Sequence, residues 1–252
     1  MKAKERHRLK ENELAHSITA ARDYLEPRSK QIGGLLIVAI LIVAAILGIT
    51  IIRGQTNREA QRVLAEAMVA LNARVVPVTP TGDANAEGVP AAAQLGAEGS
   101  FATEEAKLQA ALPKLKAAVD AYPDTEQGIT ARYHMAGALA TLGRHKEAIA
   151  EYDQVAQRAG NNSLYGRMAR LGKADTESKA GELDAAIATW KELASSTDED
   201  LPKDAILMEL ARAYVAKGNQ EEARKTFTQL VDEHPTSPYS VEARNELEQL
   251  KS

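Results

Sequence analysis

The stretch LMELARAYVAKGNQEEARKTFTQLVDEHP, Leu207 to Pro235, decides the fold. Ala211 and Tyr214 precede Gly218 at helical spacing, and Ala223, Phe227 and Leu230 follow it at steps of four and three residues. Each half therefore carries one apolar stripe of a helix, and Gly218 stands where the chain must reverse between them. Aligning Gly218 with Gly143 and Gly181 brings two more copies into register, spaced 38 and 37 residues apart. Ala stands seven residues before each Gly (Ala136, Ala174, Ala211) and five after it (Ala148, Ala186, Ala223). An aromatic stands nine after (Tyr152, Trp190, Phe227) and an apolar residue twelve after (Val155, Leu193, Leu230). Small residues let the two helices of a unit cross closely, and the aromatic and aliphatic columns fill the gap to the next unit. One unit cannot cover its own apolar face, so the units must stack into a solenoid.

This pattern of small residue, Gly turn, Ala, aromatic and terminal Pro resembles the tetratricopeptide repeat family, most fully over Leu207–Pro235. Two units depart from it: Gly160 stands where Pro is usual, Glu177 replaces the aromatic of the first helix, and the spacing exceeds the family's ~34 residues. A further half-repeat lies in Glu104–Pro123, with Ala111, Leu115, Ala118 and Pro123 in the second-helix columns. Its first helix is expected over Asn57–Ala73, where Ala60, Val63, Leu64, Ala67, Met68 and Leu71 form a stripe. Pro113 is expected to kink the helix that contains it, and Val241, Ala243, Leu247 and Leu250 predict a closing helix.

Ile32 to Ile52 reads IGGLLIVAILIVAAILGITII, without a charge. At ~1.5 Å per residue such a run covers the ~30 Å of a bilayer's hydrocarbon core. It is longer than a signal peptide's apolar region, and Arg53 follows without a cleavage triplet, so the segment reads as an uncleaved anchor. Residues 1–30 hold eight basic side chains, whereas Arg53, Arg58 and Arg62 are those in the twenty residues after the span. That bias places the N-terminus in the cytoplasm and the rest across the membrane, which in a bacterium is the inner membrane with a periplasmic domain. Leu14, Ile18, Ala21 and Leu25 read either as a short amphipathic helix or as a partly ordered tail, and Ala44 with Gly48 forms a small-xxx-small pair.

The fold class expected is therefore all-α, a single N-terminal transmembrane helix followed by a tetratricopeptide-type solenoid of about three to four repeats. The segments are 1–30, cytoplasmic, basic and amphipathic; 31–53, transmembrane; 54–74, an amphipathic helix; 75–101, a flexible insertion rich in Pro, Gly and Ala; and 102–252, the repeat domain.

Composition excludes several chemistries. There is no cysteine, hence no disulfide framework and no thiolate nucleophile or ligand. The net charge is −4, of which residues 1–30 contribute +3, leaving −7 on the remainder and no cationic cluster for nucleic acid. No phosphate-binding loop, nucleophile elbow or metal-ligand spacing occurs, and His7, His16, His134, His145 and His234 are scattered. Neither an enzyme nor a cofactor nor a small-molecule substrate is expected.

In this family the first helix of each unit lines the binding face. The resemblance places Tyr133 and Gly137 there in the first unit, Leu171, Asp175 and Lys179 in the second, and Met208, Arg212 and Val215 in the third. Leu171 and Met208 read equally as packing between units. A carboxylate clamp for chaperone tails would need Lys and Asn where Tyr133 and Gly137 stand. The architecture resembles the YfgM-like family of ancillary Sec-translocon subunits. That implies a membrane-anchored scaffold whose partners are translocon subunits, periplasmic chaperones or exported chains; the alternative is an envelope-assembly or cell-division scaffold.

Overall fold

The computed structural model describes residues 29–76 and 99–250, with side chains from Ile37 onward. The amphipathic pattern of Leu14–Leu25 and most of the 75–101 insertion lie outside the described residues. The chain divides into two units, Met1–Thr56 and Asn57–Ser252.

The first unit contains most of helix α1, Ser29–Leu71. Isoleucines, leucines and valines from Ile37 to Ile52 stand exposed, and none of the residues in this most apolar stretch of the helix is buried. This helix is long and apolar enough to cross a membrane. The sequence reading separates a span ending at residue 53 from a second helix beginning at 54, whereas α1 is continuous through Gly54. A single helical Gly costs only about 1 kcal/mol, too little to end a helix whose flanking residues favour it.

In the second unit the last turns of α1 pack on α2 (Glu104–Ala121), with Ala67 and Ala70 joining Ala111, Leu115 and Ala118 in one core cluster. The helices expected over Asn57–Ala73 and Glu104–Pro123 are present, the first as the end of α1. α2 runs through Pro113 without ending there. Arg74–Val75 (β1) pairs in parallel with Ser100–Phe101 (β2), a two-residue ladder that the sequence reading placed inside the flexible insertion.

The repeats follow as α3 (Glu126–Thr141), α4 (His145–Ala159), α5 (Leu164–Lys179), α6 (Leu183–Ser195), α7 (Lys203–Ala216), α8 (Gln220–Glu233) and the closing α9 (Ser240–Gln249). Gly143, Gly181 and Gly218 adopt φ of +73°, +76° and +79°, a conformation strained for any side chain. Behind each, the next residue's N–H reaches back to close the helix: Arg144 to the Leu139 carbonyl, Glu182 to that of Glu177 and Asn219 to that of Tyr214, all at 2.9 Å. The six column alanines are 0% exposed, as are Val155, Leu193 and Leu230, so the periodicity seen in the sequence is the core. Two further glycines seal the links between repeats. A Cβ on Gly128 or Gly166 would meet the carbonyl oxygen of Tyr122 or Gly160 at 1.8 or 2.0 Å. In both links the residue three before that Gly, Thr125 or Ser163, caps the helix by accepting its N–H.

Candidate protein-binding face

The residues assigned to the binding face fall on α3, α5 and α7, in three different environments. Tyr133 on α3 is half-buried among rings, its centroid 5.9 Å from Tyr152, 5.8 Å from Tyr165 and 5.5 Å from His134. Tyr152 comes from α4 and lies over α5: a Cβ on Gly172 would fall 2.6–2.9 Å from its ring and hydroxyl atoms. On α3, a Cβ on Gly137 would stand 3.6 Å from the same hydroxyl. Tyr152 is only 6% exposed. Burial first, then the Tyr133 phenol and the Asp175 carboxylate, push its hydroxyl up to about 12, so it remains a proton donor throughout the physiological range. Burial likewise raises Tyr133, with Tyr165 adding to the effect, and lowers His134.

On α5, Asp175 and Lys179 are surface groups bound to each other at 2.7 Å, the Lys179 side chain 62% exposed. Leu171 is partly buried and packs against the core of the third unit. Below this face lies Glu177, in the column where the family carries an aromatic. It is buried, accepts a hydrogen bond from the Thr189 hydroxyl at 2.8 Å, and has Lys173 at 3.8 Å. Burial disfavours its charge and raises its pKa despite these two partners. Lys173 answers mainly to Asp153, at 2.7 Å.

Met208 on α7 follows the second of its two sequence readings, packing between units. It is 0% exposed and belongs to the core cluster with Trp190, Phe227 and Leu230. The reason is visible along α7, where Ile206, Leu207, Met208, Leu210, Ala211, Ala213 and Tyr214 are all buried. Successive helical residues point 100° apart, so this helix is enclosed on most of its circumference and leaves little open face. Arg212 remains at the surface, bridging Glu209 and Glu242 at 2.6 Å each, and Val215 is 38% exposed. The structure thus groups Tyr133 with Tyr152 and Tyr165, pairs Asp175 with Lys179 on α5, and leaves Arg212 and Val215 on α7. Sequence reasoning missed the role of Tyr152 and Tyr165; the glycines inside two helices, Gly137 and Gly172, were the signal that something approaches closely there.

Elsewhere, a half-open cleft of about 430 Å³ lies between α2, α3 and α4, floored by Met135 and Leu139. Its rim charges are already paired within the chain, Lys116 with Asp120, Arg144 with Glu147 and Glu151 with Arg132. Among the described residues no group of three or more His, Asp or Glu is placed to hold a metal ion.

The tetratricopeptide repeat family model matches residues 103–163 and 171–238, about half of the chain. No curated protein matches. Among solved structures, MamA (residues 41 to end) from Desulfovibrio magneticus RS-1 is 20% identical, covers 57% of this chain and 74% of that one, and superposes with a TM-score of 0.46. A kinesin light chain of Podosopora anserina with nearly identical TPR-like repeats is 19% identical over 58% of this chain and 79% of that one, at a TM-score of 0.49. With both halves of the repeat domain matched, this chain belongs to the tetratricopeptide repeat family.

Proposed function

We propose that this protein is a scaffold, without catalytic activity of its own, that α1 anchors in the bacterial inner membrane and whose repeats hold other proteins on the periplasmic side. Its partners are Sec-translocon subunits, periplasmic chaperones or exported chains. The observation that carries the reading is the run of exposed apolar side chains on α1, Ile37 to Ile52, joined in one chain to a repeat domain of a protein-binding family. Burying an apolar side chain is worth about 1.5–3 kcal/mol, so a helix exposing this many is stable only where lipid covers it. The excess of basic residues before the span supports the orientation.

The binding face consists of Tyr133, Leu171, Asp175, Lys179, Arg212 and Val215, with Met208 assigned to the core instead. Protease added to intact spheroplasts should digest the chain beyond Arg53 and leave residues 1–30 protected; survival of the repeats would overturn the orientation. A photo-crosslinker placed at Lys179 or Val215, both exposed, should capture channel subunits or periplasmic chaperones. Capture of envelope-assembly or division proteins in their place would refute the translocon association.

A further inference from the structure

We propose that the packing of α5 on α6 is a proton-linked joint in the repeat domain, closed while the Glu177 carboxyl is protonated and loosened once it is charged. The second unit then opens according to the pH of the compartment that holds the repeats.

Glu177 stands four residues before Gly181. The same position holds Leu139 before Gly143 and Tyr214 before Gly218, and both of those side chains are buried in their cores. The column therefore takes an apolar filler in two units and an ionisable group, 4% exposed, in the third. Thr176 beside it is buried too, its hydroxyl donating to the Gly172 carbonyl at 2.6 Å. Across this polar stretch the apolar cores fall into separate clusters. Ala169 packs with Ala136, Tyr152 and Val155, whereas Leu171 and Ala174 pack with Ala186, Ile187 and Trp190. The contacts from α6 to the end of α5 are polar as well: the Thr189 hydroxyl donates to Glu177 at 2.8 Å, and the Trp190 Nε1–H to the Ser178 hydroxyl at 3.2 Å.

A charge on Glu177 is poorly met. Lys173 on α5 lies 3.8 Å away but is held by Asp153 at 2.7 Å. Asp153 on α4 and Glu182 at the start of α6 both repel a second negative charge. Among the described residues, α3, the other helix packed on α5, adds no charged group to this set. The ionised carboxylate gains by reaching water, which requires α6 to part from α5, whereas the neutral acid stays in place at no such cost. Units of a solenoid touch only their neighbours, so this joint can open while α8 stays closed.

The test is backbone hydrogen exchange of the full chain in detergent micelles from pH 4 to pH 8. The natural chain is compared with Glu177→Gln at each pH, so that the chemical exchange rate cancels. An open joint carries a carboxyl of ordinary pKa, about 4.3, and the closed joint one that is raised. The excess exchange of the natural chain in α5 and α6 should therefore rise by up to tenfold per pH unit above about 4.3 and level off beyond the folded value. Amides of α8 should show none of this rise. Thr189→Val removes the donor that favours the charged form, so the rise should continue to higher pH before levelling. A change in exchange equal at every pH would instead make Thr189 merely structural. A ratio independent of pH, an equal rise in α8, or better protection of the natural chain at high pH would overturn the proposal. If Glu177→Gln does not fold, Glu177→Leu, with the side chain of the first unit's column, takes its place in the comparison.

Discussion

Gly137 and Gly172 sit inside neighbouring first helices and face the same tyrosine, yet the same substitution should act on them with opposite sign. Ala in place of Gly within a helix is worth about 1 kcal/mol. At Gly137 the new methyl would stand 3.6 Å from the Tyr152 hydroxyl, an ordinary contact, so the whole gain is kept. At Gly172 it would stand 2.6 Å from Cζ, 2.8 Å from Cε1 and 2.9 Å from the hydroxyl oxygen. The ring must move, and the Tyr133 ring at 5.9 Å restricts where it can go. Overpacking of this kind costs roughly 1–3 kcal/mol, which cancels or outweighs the helical gain and leaves a net loss of up to about 2 kcal/mol. Thermal unfolding of the full chain in micelles, followed by circular dichroism, should show Gly137→Ala raised by about 2–4 °C and Gly172→Ala lowered by a similar or larger amount. Shortening the tyrosine in the double variant Gly172→Ala/Tyr152→Leu should make the Gly172 change favourable against a Tyr152→Leu background. A Gly172→Ala protein as stable as Gly137→Ala would refute the packing of Tyr152 against α5.

Two further outcomes follow from the core. Trp190→Ala removes a buried ring and its Nε1–H bond to the Ser178 hydroxyl at 3.2 Å, and should cost about 3–5 kcal/mol; an unchanged melting curve would refute its place in the core. Glu177 has a folded pKa above its ordinary value, so its contribution to stability is fully present below the unfolded pKa of about 4.3 and is lost as pH rises through the folded one. Glu177→Gln should therefore melt higher than the natural chain at neutral pH and alike near pH 4, and an equal gap at both would refute burial of the charge.

What could be read from the sequence was whatever a local need dictates. Gly143, Gly181 and Gly218 are required by a positive φ, and the alanine and aromatic columns by the crossing distance of two helices, so each leaves its mark at fixed spacing. The two readings of Met208 could not be separated from sequence because a column names a direction on an ideal helix. Whether that direction is open depends on how much of the circumference its neighbours enclose, and α7 is enclosed on most sides. The packing of Tyr152 against Gly137 and Gly172 was illegible for a related reason. It needs Gly137, Tyr152 and Gly172, residues of three helices, to meet, and no periodicity within one helix encodes that. α1 continues through Gly54 because one glycine is outweighed by the helix on either side.

The two halves of the binding face can be told apart by salt. Ion pairs join neighbouring helices at Lys173–Asp153 and Arg170–Glu192, and α7 to α9 at Arg212–Glu242, but in each at least one side chain is exposed. Such pairs are worth about 0–1 kcal/mol, far less than the fully buried Val155, Leu193 and Leu230 that fill the gaps between units. Packing therefore fixes the arrangement of the repeats, and added salt should leave the melting temperature nearly unchanged. Binding is then free to report its own electrostatics. A partner held by Asp175, Lys179 and Arg212 would dissociate as the screening length falls from about 10 Å at 0.1 M to about 3 Å at 1 M salt. One anchored on Tyr133, Leu171 and Val215 meets no net charge and should be retained across that range. Steep loss of the captured partner with salt, at constant melting temperature, would refute the uncharged residues as the principal anchor and assign the contact to the charged residues of α5 and α7.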